Sequence, residues 1–462
     1  MKSTRRVRVA LRRALGAAVA LSAAVAVMTV APTAQALENQ LALTPPMGWN
    51  SWNKYGCSVT EAKVKAEADA IVASGLKDAG YSYVTVDDCW MASSRDAVTG
   101  GLVADATKFP SGMKALGDYI HGKGLKFGIY ESPTQGTCQH RPGSYGHETQ
   151  DANTFASWGV DALKYDWCGD STTESPQLYV DYPNSTPQAL AQVLFPRMRD
   201  ALAATNRPIL YMLSACCAAL DFPSWASGTA NQWRISTDIY DNWNSIMNNF
   251  NRDTPHAASA GPGGWNDPDM LEVGNGGMTD AEDRTHFSLW AQLAAPLIMG
   301  HDVSTQSAAT KTILGNTDVI AVDQDSKGAQ GTVVNKKDGL LVMRKPLANG
   351  DLAVTLTNTT SATATISTSA SVLGIGGVAS YSLKDLWSKG TSTSTGAISA
   401  SVASHATVMY RVTPNGTVPT PAPSPVSDQV TDTTTQGNWK GVYGGAGYRI
   451  PGDTTSLPAG IT

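Results

Sequence analysis

Tyr81-Ser-Tyr-Val-Thr-Val-Asp-Asp88 is a β-branched, aromatic run that stops abruptly on two carboxylates. Residues of this kind suit a buried strand of ordinary length. The figure recurs along the chain. Leu125-Lys-Phe-Gly-Ile-Tyr130, Val160-Asp-Ala-Leu-Lys-Tyr165 (followed by Asp166), Pro208-Ile-Leu-Tyr-Met-Leu213 and Pro296-Leu-Ile-Met299 are all short apolar runs. Amphipathic stretches lie between them, at 61–79, 112–123 and 186–205. Strand–helix alternation over residues 41–325 implies a parallel sheet, and this length suits an α/β fold of the eight-stranded (β/α)8 TIM barrel type. A doubly wound open sheet is the competitor, but no G-x-G-x-x-G opens the first unit. Asp87, Asp88, Tyr130 and Asp166 each sit at or just past the end of an apolar run, and in a barrel those ends carry the active site.

Outward from this core the texture changes twice. Residues 326–413 hold short strand-like runs in Ser/Thr/Gly-rich surroundings and read as an antiparallel β-sandwich. Residues 414–428 form a Pro/Thr/Ser-rich extended linker. Residues 429–462 are too few for a stable domain and read as an incomplete β-module. At the other end, residues 1–36 combine a basic start, the uncharged run Ala14–Val30 and Ala34-Gln-Ala36. That is the pattern of a cleaved secretory signal peptide, and the run falls short of the ~20 residues of a spanning helix. The catalytic unit is therefore expected over 37–325, in a secreted protein.

Charge narrows the partners. The chain has 34 basic and 39 acidic side chains, a net −5, and six of the cations lie in residues 1–13. Without them the balance is 28 against 39, or −11. So acidic a surface argues against nucleic acid or an anionic membrane as partner. The six cysteines match no zinc spacing, and in an exported chain disulfides are the default. Adjacent Cys216 and Cys217 read either as a rare vicinal pair or as two buried thiols. The seven histidines show no metal-ligand spacing, so neither metal nor cofactor is expected. His140 and His147 lie in a polar loop and read as surface residues, with a place at the border of the pocket as the alternative. Ten of the twelve tryptophans fall between Trp49 and Trp290, which suits either a large core or the stacking of sugar rings.

Six motifs occur in order: Pro45-Pro-Met-Gly-Trp-Asn-Ser-Trp-Asn53, Val86-Asp-Asp-Cys-Trp90, Gly128-Ile-Tyr130, Leu163-Lys-Tyr-Asp-Trp-Cys168, Trp233-Arg-Ile-Ser-Thr-Asp238 and Gly261-Pro-Gly-Gly-Trp-Asn-Asp-Pro-Asp-Met270. Together, over residues 41–413, they resemble glycoside hydrolase family 27, the α-galactosidases or melibiases. The resemblance implies a retaining glycosidase acting on terminal α-D-galactosyl residues of oligo- or polysaccharides. Asp166 would be the nucleophile and Asp238 the general acid/base, about 5–5.5 Å apart as retention requires. Lys164, two residues from Asp166 on a strand, points to the same side. As a neighbouring cation it is expected to lower the Asp166 pKa. Asp87 and Asp88 would accept hydrogen bonds from O4 and O6. Trp52, Tyr130, Cys138, Lys164, Arg234, Asp269 and Met270 would complete the sugar site. The family's cysteine pattern implies Cys57–Cys89 and Cys138–Cys168 bridges.

One departure bears on specificity. The family's Cys-Glu-Trp after the fifth strand, whose Glu binds the sugar 2-OH, is replaced here by Leu213-Ser-Ala-Cys-Cys-Ala-Ala219. Small residues leave space at C2, as in the α-N-acetylgalactosaminidases of the family, which stay open as an alternative. So does β-L-arabinopyranosidase, against which Asp88 speaks mildly. A non-catalytic galactose-binding protein would need neither Asp166 nor Asp238.

Overall fold

A computed structural model describes residues 37–169, 171–215, 220–419, 448–449 and 455–456. Eight short strands share one sheet: β1 (Met47–Asn50), β2 (Tyr83–Val86), β3 (Lys126–Glu131), β4 (Ala162–Asp166), β5 (Leu210–Ser214), β6 (Gln232–Arg234), β7 (Trp265–Asp267) and β8 (Leu297–Met299). Their spatial order is β7-β6-β5-β4-β3-β2-β1-β8, and the pairings are parallel. The ring closes just past β7, where Leu271 bridges Met299 in parallel. There the Leu271 N–H donates to the Ile298 carbonyl at 2.7 Å and the Gly300 N–H returns to Leu271 at 3.0 Å. Inside the ring space is short: a Cβ on Gly128 would lie 2.2 Å from Thr85 Oγ1, so β2 and β3 meet only because the residue is glycine.

Helices wrap the outside, and their starts follow from capping. Thr60 caps Glu61–Ala73, Thr186 caps Pro187–Ala204 and Asn242 caps Trp243–Asp253, each accepting a backbone N–H. Thr279 and Glu282 form a reciprocal capping box on Asp280–Leu293. The helix expected over 61–79 stops at Ala73, because Gly75 and Gly80 turn the chain at φ +81° and +118°. β1, β6 and β7 are three or four residues long, too short to show a period, and lay unread inside the motifs.

The second sheet system is antiparallel. β9 (Thr332–Lys337), β10 (Leu340–Pro346), β11 (Leu352–Asn358), β13 (Tyr381–Asp385), β14 (Thr391–Ser394) and β16 (Thr407–Pro414) form one sheet, and β12 (Ala364–Ser369) pairs with β15 (Ala397–Val402) in another. Val354, Leu356, Leu373, Ile398 and Val412 fill the core between them. β9 and β14 carry no apolar alternation in the sequence, being polar and largely exposed. The helix Asp280–Leu293 lies between barrel and sandwich and is buried almost throughout. Lys345 Nζ donates to the Ala291 carbonyl (3.0 Å) and Gln292 Nε2 to the Ala353 carbonyl (3.1 Å). Among the described residues no helix is long and apolar enough to cross a membrane. The expected signal segment and Cys216–Cys217 lie outside the described residues. So do the expected linker from residue 420 onward and most of the expected tail, in which Tyr448–Arg449 pairs with Thr455–Ser456.

Candidate active site

The carboxyl ends of the barrel strands surround a cleft of about 1050 Å³. Every residue assigned to the site from the sequence lines it: Trp52, Asp87, Asp88, Tyr130, Cys138, Lys164, Asp166, Arg234, Asp238, Asp269 and Met270. His140 and His147 are not among the lining residues.

At the closed end the carboxylates are held rigidly. Asp87 Oδ2 accepts from Asn50 Nδ2 (2.7 Å) and Lys164 Nζ (2.8 Å), and its Oδ1 accepts the Asp88 N–H (2.9 Å). Asp88 accepts from the Cys89 N–H (2.6 Å), Thr137 Oγ1 (3.0 Å) and the Gln139 N–H (2.9 Å). Burial nevertheless pushes the Asp88 pKa up. The tight turn behind it puts Cys89 at φ +72°.

Asp166, at the end of β4, is 5% exposed. Its Oδ2 accepts the Tyr130 hydroxyl at 3.3 Å, while Oδ1 is buried with no hydrogen-bond partner among the described residues. Burial raises its pKa to about 6, against the opposing pull of Lys164 and Arg234. The expectation of a depressed pKa is thus reversed, because desolvation outweighs the two cations. Lys164 makes its hydrogen-bonded ion pair with Asp87 rather than with Asp166. Burial works against its charge, yet Asp87 and Asp166 hold its pKa above the usual value.

Arg234, at the end of β6, binds two carboxylates through one nitrogen: Asp238 Oδ1 and Asp269 Oδ2, each at 2.5 Å. Asp269 also accepts the Ile239 and Met270 N–H groups, both at 2.8 Å, and holds its backbone at φ +83°. This lashes the segment after β6 to the segment after β7. Asp238 is the open-side member, with 43% of its side chain exposed.

Both bridges that the resemblance implied are formed: Cys57–Cys89, Cα atoms 5.1 Å apart, and Cys138–Cys168, 4.9 Å apart. Cys138, Cys168 and Asp166 crowd together within metal-ligand range. Both sulfurs are spent in a disulfide, so the trio offers no thiolate to an ion.

Some residues in the cleft, or just behind it, escaped the sequence reading. Asn50 orients Asp87 and, through Oδ1, receives the Trp52 N–H at 2.8 Å. Glu272 is 3% exposed, its pKa raised by burial to about 7, and accepts from Asn53 and from Asn275 Nδ2 (2.6 Å). Asn50 sat inside the first motif and Glu272 two residues past the last, where a side-chain role shows only once the strand ends converge.

The chain is similar to known proteins along most of its length. The family profile described as "Alpha galactosidase A" matches residues 44–325, and that described as "Alpha galactosidase C-terminal beta sandwich domain" matches residues 337–412. An alpha-galactosidase of Oryza sativa subsp. japonica is 46% identical over 383 residues, 82% of this chain and 87% of the relative. The crystal structure of alpha-galactosidase I from Mortierella vinacea aligns with a TM-score of 0.76 at 38% identity, over 81% of this chain and 98% of that one. An alpha-galactosidase from Saccharomyces cerevisiae, solved with raffinose, aligns with a TM-score of 0.73 at 31% identity, over 83% of this chain and 100% of that one.

Proposed function

The chain belongs to the alpha-galactosidase family of glycoside hydrolases, and from that membership we propose that it is a secreted, retaining exo-glycosidase. It removes terminal non-reducing α-D-galactosyl residues from oligosaccharides and simple galactosides. The observation that carries this reading is Asp166: one oxygen bonded by Tyr130, the other buried and unpartnered among the described residues, in the same cleft as Asp238, which Arg234 ties to Asp269.

In the first step the free Asp166 oxygen attacks the anomeric carbon while Asp238 gives its proton to the departing glycosidic oxygen. A C–O bond to the aglycone breaks as the ester to Asp166 forms. Asp238, now a carboxylate, takes a proton from water, which displaces Asp166 and returns galactose with its configuration retained. Asp87 and Asp88 keep acceptor capacity beyond the bonds they already make, since a carboxylate offers about four lone-pair directions. They are the acceptors for O4 and O6. Lys164 and Arg234 donate to the sugar and balance the carboxylate charge, and Trp52, Tyr130, Cys138, Asp269 and Met270 shape the ring site.

At C2 the run Ser214-Ala215-Cys216 stands where the family has Glu-Trp, so no carboxylate is offered to the 2-hydroxyl. Loss of one charge-assisted hydrogen bond weakens binding by about 1.5–3 kcal/mol. That predicts a raised KM for galactosides, and room for an acetamide makes N-acetylgalactosaminide the second reading. The test is a panel of p-nitrophenyl α-galactoside, α-N-acetylgalactosaminide and β-L-arabinopyranoside, with NMR of the first-formed anomer. The α-galactoside should be hydrolysed fastest, with the α-anomer released first. A faster N-acetylgalactosaminide, or initial β-galactose, overturns the corresponding half of the proposal.

A further inference from the structure

Trp52 stands on the one-turn helix Trp52–Tyr55, which has no buried residue and no side chain capping its start. So short a helix has little stability of its own. Side-chain hydrogen bonds fix it at three points. Asn50 Oδ1 accepts the Trp52 N–H (2.8 Å). Tyr55 gives its hydroxyl to the buried Glu67 (2.6 Å), whose other oxygen accepts the Val303 N–H (2.8 Å) from beyond β8. Asn53 gives its side-chain amide to Glu272.

The third bond joins two parts of the cleft lining that are far apart in the chain. Trp52, Asn53, Glu272 and Asn275 all line the cleft. One Glu272 carboxylate oxygen accepts Asn53, while the other is braced by Asn275 Nδ2 (2.6 Å) in the segment after β7. The base of Glu272 is fixed as well. Its N–H donates to His286 Nε2 (3.1 Å) on the helix Asp280–Leu293, and its neighbour Leu271 closes the barrel. Burial works against its charge, so these hydrogen bonds are what offset a buried carboxylate here. Asn53 is the residue next to Trp52, and the direction of the indole in the cleft therefore depends on this bond.

We propose that Glu272 is a positioning residue that sets the Trp52 ring against the bound sugar by holding Asn53. This rests on the galactosidase reading above. It is tested by the Ki of D-galactose in the hydrolysis of p-nitrophenyl α-galactoside, with Trp52→Ala as a second background. Glu272→Ala should raise that Ki about tenfold and leave kcat within about threefold, because the reacting carboxylates keep their places. In the Trp52→Ala background the same substitution should change Ki by less than about twofold, since the ring it aims is gone. Glu272→Gln should keep Ki near wild type: its amide accepts from one asparagine and donates to the other once that amide turns over. If Glu272→Ala does not fold, Asn53→Ala cuts the same link from its partly exposed end and should give the same two results. A Ki unchanged in the first background, or a tenfold rise that persists in Trp52→Ala, overturns the positioning role. Wild-type enzyme that does not hydrolyse the α-galactoside overturns the galactosidase reading, and the positioning role with it.

Discussion

Asp166 is a carboxylate that the fold holds against its own solvation. Its pKa lies at about 6 in the folded chain against 3.8 for the unperturbed group, with burial the largest cause. Between those two values the native state binds more protons than the unfolded chain, so its stability declines as pH rises from about 4 to 6. Asp166→Asn removes the buried charge. We expect the variant to lose activity by about ten-thousandfold or more, since an amide cannot form the glycosyl ester. Its Tm at pH 7 should rise by several degrees, and that gain should vanish near pH 4. In the wild type the acid limb of kcat/KM should fall near pH 6, where Asp166 protonates. Lys164→Gln, which removes the stronger of the two opposing cations, should move that limb upward by about one pH unit. An acid limb unmoved in Lys164→Gln, or Asp166→Asn retaining a tenth of wild-type rate, overturns the assignment.

At the level of elements, one side of the site is made by the loops that leave β1, β2, β3 and β4, and the disulfides are what tie those loops together. Cys57 follows the one-turn helix Trp52–Tyr55 and is bonded to Cys89, the residue after Asp88. Cys138 lies between Thr137 and Gln139, both of which donate to Asp88, and is bonded to Cys168, whose sulfur is 3.4 Å from the Tyr130 hydroxyl. Each bridge should contribute about 2–4 kcal/mol. Reduction should therefore lower Tm and activity together, read by thermal melts and initial rates with and without reductant. A chain shown by thiol titration to be fully reduced, yet unchanged in both, would sink this account.

Across the whole molecule, one helix has two hosts. Asp280–Leu293 presents Trp290, whose indole N–H donates to the Asp269 carbonyl (2.8 Å), to the catalytic end of the barrel. Ser288 on the same helix receives the Trp387 indole N–H (2.9 Å) from the sandwich. Leu341, Met343, Ala353 and Met409 of the sandwich belong to the same apolar core as the barrel residues. Removing the sandwich would expose that face and leave the Ala291 carbonyl without Lys345. The intact chain should accordingly melt in a single calorimetric transition, and a fragment ending at residue 331 should fail to accumulate as folded protein. Two resolved transitions, or a soluble active fragment, contradict this.

The order of apolar runs and helix-like stretches pointed to a barrel rather than an open sheet, because strand and helix periods are carried by consecutive residues, although β1, β6 and β7 were too short to show one. Asp87, Asp88, Tyr130 and Asp166 were legible for the same reason, as polar stops at strand ends, and Asp238 through the motif around it. Partnership was not legible. Lys164 sits two residues from Asp166 in sequence but bonds Asp87, 77 positions away. Arg234 is shared between Asp238 and Asp269, and Glu272 reaches back to Asn53, 219 positions earlier. The barrel itself closes through Leu271, outside β7. The Asp166 pKa could not have been set by local charges either, since Lys164 alone argues for a lower value. It is raised because the tertiary fold removes water from around it, and desolvation is a property of the enclosing structure rather than of any neighbour in the chain.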